Sequence, residues 1–212
     1  MWHALRAELV YFRMWLFGGL GIAGGITVFM HVLKWLFDDG EGVPGFLTSM
    51  FLLIAGMVVA FVAQSYRAEE RRARLLMAGP LTPRQLAGVL VLLPAALMGL
   101  CVLLTALKIG LEALITGRLD IESVRTTASF AGQFWAYAQL GPLAQEASAA
   151  HRQRRSRAVV VGWGVFVGAV LVLAASWLFA GSIHGFLGPM IAAVAAMAVA
   201  AALYQGRTDF TR

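Results

Sequence analysis

Residues 126–145 read TTASFAGQFWAYAQLGPLAQ, and whether this stretch crosses a bilayer decides the arrangement of the whole chain. Its length suffices, because about 20 residues span the hydrocarbon core. Gln133, Gln139 and Pro142 dilute it, so hydropathy alone argues against a crossing. The basic residues argue for one, since positive charge is retained on the cytoplasmic side of a membrane. If residues 126–145 cross, thirteen of the 17 Lys and Arg residues fall on one side: Arg6, Arg13, Arg67, Arg71, Arg72, Arg74, Arg84, Arg152, Arg154, Arg155, Arg157, Arg207 and Arg212. Only Lys34, Lys108, Arg118 and Arg125 fall on the other, beside Asp38, Asp39, Glu41, Glu112, Asp120 and Glu122. Without that crossing, the two arginine-rich connections would lie on opposite sides.

Outward from this stretch, five further apolar runs are each long enough to span: about 14–37, 46–66, 86–107, 158–180 and 186–204. The first is too long and too glycine-broken to be the h-region of a cleaved signal. Before it, Trp2, Leu5, Leu9 and Phe12 share one helical face, which predicts an interfacial helix over residues 1–13. Trp15, Tyr66, Trp163 and Tyr204 fall near the inner boundary of these spans and Trp35 and Trp177 near the outer one, where amphipathic rings settle. The chain of 212 residues is 60% hydrophobic and 13% charged, against about 45–50% and roughly 25% in soluble domains. The expected fold is therefore all-α: one polytopic transmembrane domain over residues 1–212, with six spans, an interfacial helix at its start, and both termini cytoplasmic. Six spans leave no room for a catalytic or nucleotide-binding domain, and the net charge of +6 sets topology rather than pointing to nucleic acid.

Motifs with a chemical reading are few. Gly19, Gly21 and Gly24 spell GxGxxG, which cradles a pyrophosphate only in a strand-to-helix turn; inside an apolar run the glycines read as packing faces. Gly21 with Gly25, Gly164 with Gly168, and Ala192, Ala196 and Ala200 have the small-xxx-small spacing that lets helices approach closely. The sequence has no phosphate-binding P-loop, no HExxH, no GxSxG and no second cysteine beside Cys101. The expectation is a chain without catalytic residues, bound cofactor or metal. His31 is read either as a proton site or as a structural hydrogen-bonding residue.

The most informative connection is RAEERRARLLMAGPLTPRQ, residues 67–85. Residues 68–78 predict a short helix with Glu70 and Arg74 one turn apart, stopped by Gly79 and Pro80. Thr82, Pro83 and Gln85 then predict a capped start for the next helix. Such a helix presents Leu75, Leu76 and Met77 amid charge, as a docking surface would; the other reading is a helix resting on anionic lipid headgroups.

This segment, E-R-R-x-x-L-L-x-x-x-P-L-x-x-R-Q between spans two and three, resembles the membrane subunit of type-2 ATP-binding-cassette transporters. Glu70, Arg71, Leu75, Leu76, Pro80, Leu81 and Arg84 match the family pattern, while Gly88 and Val89 stand where many members carry a lysine. The resemblance implies that residues 1–13 form an elbow helix and that the loop is a coupling helix seated in a separate cytoplasmic ATPase subunit, which holds ATP and Mg. It further implies a second permease chain, export by alternating access, a pathway lined by spans two and five, and residence in the bacterial cytoplasmic membrane. A lining rich in Phe, Met and Val suits a hydrophobic or amphipathic cargo. The alternative is a non-transporting scaffold or assembly subunit whose arginine-rich loops bind lipid or another protein.

The charge asymmetry predicts that cysteines placed at Asp39, Leu119 and Ser182 react with an impermeant thiol reagent from outside the cell. Cysteines at Arg72, Gln153 and Thr208 should react only after the membrane is opened. Reversed labelling at Leu119 or Gln153 would show that residues 126–145 do not cross.

Overall fold

The computed structural model describes residues 2–36, 45–68 and 82–206. Six α-helices fill these segments, and among the described residues there is no strand. They are α1 (Trp2–Leu36), α2 (Gly45–Ala68), α3 (Pro83–Thr116), α4 (Ile121–Arg152), α5 (Ser156–Ser176) and α6 (Ile183–Gln205), with a 3-10 turn, Trp177–Phe179, between α5 and α6.

Local sequence sets most of these boundaries. Thr82 starts α3 as its pattern predicts: its hydroxyl accepts from the Gln85 amide at 3.3 Å, and its own amide donates to Gln85 Oε1 at 2.9 Å. This capping box satisfies donors that the first helical turn leaves unpaired. Gly117, left-handed at φ 65°, closes α3, a conformation that costs glycine nothing. Three residues later Asp120 caps α4, accepting from the amides of Glu122 and Ser123 at 3.0 and 3.2 Å and from the Ser123 hydroxyl at 2.7 Å. These bonds, the Ser123 hydroxyl first, hold the Asp120 carboxyl below the usual carboxylate range. Ser182 caps α6 by accepting from the Gly185 amide at 3.2 Å.

Two features differ from the sequence reading. The interfacial helix over residues 1–13 and the span after it form one unbroken helix of 35 residues, about 52 Å long at 1.5 Å per residue. Its glycines do not interrupt it, since a backbone screened from water keeps its internal hydrogen bonds. Secondly, three helices are long and apolar enough to cross a membrane: α3 over Arg84–Ile115, α5 with its turn over Ser156–Phe179, and α6 over Ile183–Gln205. Helices α1 and α2 hold the shorter apolar stretches Phe17–Phe29 and Ser49–Val62. Helix α4 has the length, at 32 residues, but its glutamines and its glutamate keep it outside this group.

That least apolar helix is the centre of the bundle, packing against α2, α3, α5 and α6, while α1 lies outermost on α2 and α3. Helices consecutive in the chain run antiparallel. Ser49 of α2 meets Lys108 of α3, and Gly56 of α2 meets Cys101 of α3. At the opposite end, Tyr204 of α6 packs with Leu86, Ala87 and Leu90 of α3; the tyrosine expected at the lipid interface is 9% exposed.

Two apolar clusters carry the interior. Ala136, Leu140, Leu143 and Ala147 of α4 face Ala169 and Leu173 of α5 and Ala192, Ala193, Ala196, Ala200 and Leu203 of α6. Phe130, Ala131, Phe134 and Ala138, on the opposite side of α4, meet Leu53 and Ala60 of α2 and Met98 of α3. The four-residue spacing of Ala192, Ala196 and Ala200 thus forms the packing face it predicts. The outside is apolar too: Val160, Val167, Leu171, Leu178, Leu187 and Ile191 are all exposed. A soluble protein does not expose a continuous apolar skin of this size. With polar side chains buried on the central helix and apolar ones outside, the bundle is a membrane-embedded protein.

Of the glycines that the spacing singles out, Gly19 brings helices together, a Cβ there lying 2.9 Å from Val59 Cγ2; the other close approaches are elsewhere. A Cβ on Gly56 would lie 2.6 Å from Cys101 Sγ, and one on Gly162 would lie 2.8 Å from the Cβ of Ala147. A Cβ at Gly21, Gly25, Gly164 or Gly168 would meet nothing within 4 Å, because these residues lie on outer faces of α1 and α5. Gly19, Gly21 and Gly24 are helical, so they form no nucleotide loop. Overpacking a tight core costs about 1–3 kcal/mol. Gly56→Ala is therefore expected to lower the unfolding temperature of the isolated chain. Gly21→Leu or Gly25→Leu should do so only when these faces are covered in an assembly. Equal losses for all three in monodisperse single chains would refute this division.

Candidate functional site at the arginine-rich end

The antiparallel order gathers one set of helix ends: the C-termini of α2, α4 and α6 and the N-termini of α3 and α5. The connection 69–81 leaves and re-enters the bundle here, between Ala68 of α2 and Thr82. Arg84, Arg152, Arg154, Arg155 and Arg157 belong to this end, and all but Arg155 are exposed.

The turn between α4 and α5 is built tightly. Arg155 N donates to Ala150 O at 3.0 Å and Arg154 N to His151 O at 3.0 Å, the paired bonds of a Schellman motif. That motif wants a left-handed residue, normally glycine, and Arg154 occupies the place at φ 54°. Arg155 turns inward. Its guanidinium donates to the Leu203 carbonyl at 3.3 Å and lies against Gly206, the C-cap of α6. A cation over the last carbonyls of a helix satisfies unpaired acceptors and opposes the negative end of its dipole. Arg155 therefore ties α6 to the α4–α5 turn, leaving Arg152, Arg154 and Arg157 as the exposed charges.

Of the residues read from the sequence as a coupling surface, Arg84 is described. It is exposed on the first turn of α3, two residues after the Thr82 cap. Glu70, Arg71, Leu75, Leu76, Pro80 and Leu81 lie outside the described residues, as does the side chain of His31. Gly21, Gly25, Gly164 and Gly168 are on helix faces away from this end.

The sequence reading treated Gln133 and Gln139 as dilution of a span and gave Glu146 no role. All three are buried in α4, at 1%, 0% and 3% exposure. Gln133 donates to Ser176 Oγ of α5 at 3.3 Å, and the hydroxyl of Ser176 donates to Leu173 O at 2.7 Å. One turn away, Ser129 Oγ accepts from the amide of Gly181 at 3.1 Å, which fixes the left-handed corner between α5 and α6. Polar residues inside an apolar helix signal a face turned to the bundle interior rather than to lipid, and that signal was present in the sequence. No group of three or more His, Cys, Asp or Glu residues suited to a metal ion occurs among the described residues.

A left-handed conformation costs a non-glycine residue about 1–2 kcal/mol. Arg154→Gly should hold or raise the unfolding temperature although it deletes a charge. Arg154→Val should lower it by an amount corresponding to at least about 1 kcal/mol. A lower unfolding temperature for the glycine variant than for the valine variant would refute the strained turn.

Comparison with family models, with curated protein sequences and with solved structures finds no match.

Proposed function

We propose that this chain is the permease half of an ATP-driven exporter, crossing the bacterial cytoplasmic membrane six times and driven by a separate ATPase subunit bound at the arginine-rich end. The observation that carries the reading is the gathering of the 69–81 connection, the Thr82 cap and the exposed Arg84, Arg152, Arg154 and Arg157 at one end of a bundle whose flanks are apolar. A soluble partner with an acidic groove would find charge and an ordered helix start on a single face. The capping box matters here because it fixes where the connection joins α3, so a push on the connection reaches the helix rather than being lost in slack backbone.

The six crossings of this reading are compatible with the same bundle. Helices α1 and α2 lie antiparallel to or alongside helices that are long enough to span, and the position of α4 at the centre provides a polar helix with protein on every side, where it avoids lipid. A single crossing between Thr82 and Arg152 would put these two residues on opposite sides of the membrane, whereas α3 and α4 bring them to one end of the bundle.

A second permease chain fits the remaining surface. Only 17% of the apolar window of α5 is buried, and Gly164 and Gly168 lie open on it. Small residues on an exposed helix suit close approach by another helix, and two such bundles would enclose a pathway that one alone has little room for. ATP and Mg belong to the ATPase subunit in this reading, and the cargo is hydrophobic or amphipathic.

The experiment is Leu75→Ala with Leu76→Ala in the full chain, co-expressed with its genomic neighbours. Truncating an interface anchor commonly costs about 2 kcal/mol or more, roughly thirtyfold in affinity. The variant should fold normally in membranes but recover far less ATPase subunit and transport less cargo. Arg71→Glu should act in the same direction, less so in high salt, since exposed charge pairs are screened. Normal co-purification and transport in the double variant would refute the coupling role and favour a lipid-bound helix on a scaffold subunit.

A further inference from the structure

Gln139, Glu146 and Gln153 stand seven residues apart on α4 and at its C-cap. Seven residues make nearly two helical turns, with a drift of about 20°, so the three positions share one face and form a file along the helix axis. Each step rises about 10 Å. The file therefore runs from the arginine-rich end to a point about 21 Å deep, some two thirds of the way through a hydrocarbon core about 30 Å thick.

The polar atoms of this file lack enough protein to satisfy them. Gln139 is fully buried, yet neither its Nε2 nor its Oε1 has a hydrogen-bond partner in the protein, and at the mouth of the file the buried Oε1 of Gln153 has none either. Glu146, between them, is 3% exposed and is engaged within the chain. Leaving a buried amide unpaired costs about 1–3 kcal/mol per group, and in a bilayer no bulk solvent can relieve it. Native proteins meet this demand with internal water, which makes about three hydrogen bonds to otherwise unsatisfied groups. Of the other amides on α4, Gln133 lies on a different face and donates to Ser176, although its Oε1 has no protein partner either, and Gln145 is engaged within the chain.

We propose that this face of α4 is a hydrated track: a file of ordered water enters beside Gln153, passes Glu146 and ends on the amide of Gln139. The occupant is water, and the inference is independent of any ATPase partner or cargo. The track makes the arginine-rich end the wet side of the bundle and gives Glu146 a route to solvent that its burial otherwise denies.

Radiolytic hydroxyl footprinting of the purified full chain tests this without mutation, because radicals formed in internal water oxidise the side chains beside it. Leu143 lies one turn from both Gln139 and Glu146 and has no surface exposure, and Leu53 and Leu173 are buried as completely elsewhere in the bundle. Leu143 should oxidise several times faster than Leu53 and Leu173. In Gln139→Leu, which removes the inner terminus of the track, Leu143 should fall to their rate. Equal rates for the three leucines in the native chain would overturn the proposal, whether the interior is uniformly dry or the bundle opens as a whole. Undiminished Leu143 oxidation in a folded Gln139→Leu chain would overturn it as well.

Discussion

A helix cannot turn Gln133, Gln139 and Glu146 to hydrocarbon, and this requirement organises the bundle. Burying an unpaired amide or carboxyl in an apolar medium costs several kcal/mol, whereas the exposed flanks of α5 and α6 are aliphatic and suit lipid. The chain meets the constraint by placing α4 in the middle, with α2, α3, α5 and α6 around it. The Gln133–Ser176 and Ser129–Gly181 bonds then lock the α5–α6 hairpin to the central helix. In a bilayer such bonds are modest individually, about 0.6 kcal/mol on average. Their larger effect is on which face turns inward.

Once α4 is central, close packing follows from residue size. Ala147 on α4, Gly162 on α5 and Leu203 on α6 meet at a point where a methyl group added to the glycine would collide, and the alanines of α6 extend the same contact along its length. Lipid chains are as apolar as leucine, so little hydrophobic force draws helices together in a membrane. Dispersion between closely approaching backbones must contribute instead. The glycines left over, on outer faces of α1 and α5, offer the same property to whatever lies beyond the single chain.

The two ends of the bundle are chemically unlike. At one, Asp120 and Ser123 close a short link between α3 and α4, and Lys108 pairs with Glu112 at 2.8 Å while reaching Ser49 at 3.3 Å, so opposite charges are mixed. At the other, the exposed charges among the described residues are arginines, and Arg155 spends its charge inside the fold, on the end of α6. The proposed partner docking and the proposed hydrated track both belong to this second end. A site for a cytoplasmic subunit and a wet route into the interior would therefore share one entrance.

Composition and charge alone determined that this chain is helical and belongs in a membrane, because about 20 apolar residues per run and a thirteen-to-four division of basic residues leave few other arrangements. The Thr82 capping box and the α6 alanine face were equally legible, since both depend on residues within one or two turns of each other. Only the tertiary structure decided which helix is central. A periodicity argument shows that a helix has a polar face but not which neighbour covers it, so Gln139 read as a blemish in a span. Which glycines pack within the chain was hidden for the same reason: Gly21 and Gly56 look alike in sequence, and the difference is Cys101, a residue 45 positions beyond Gly56 in the chain, lying against one of them. Arg154 in a left-handed turn was invisible too, because local preference would put glycine there and the packing of α4 on α5 overrides it.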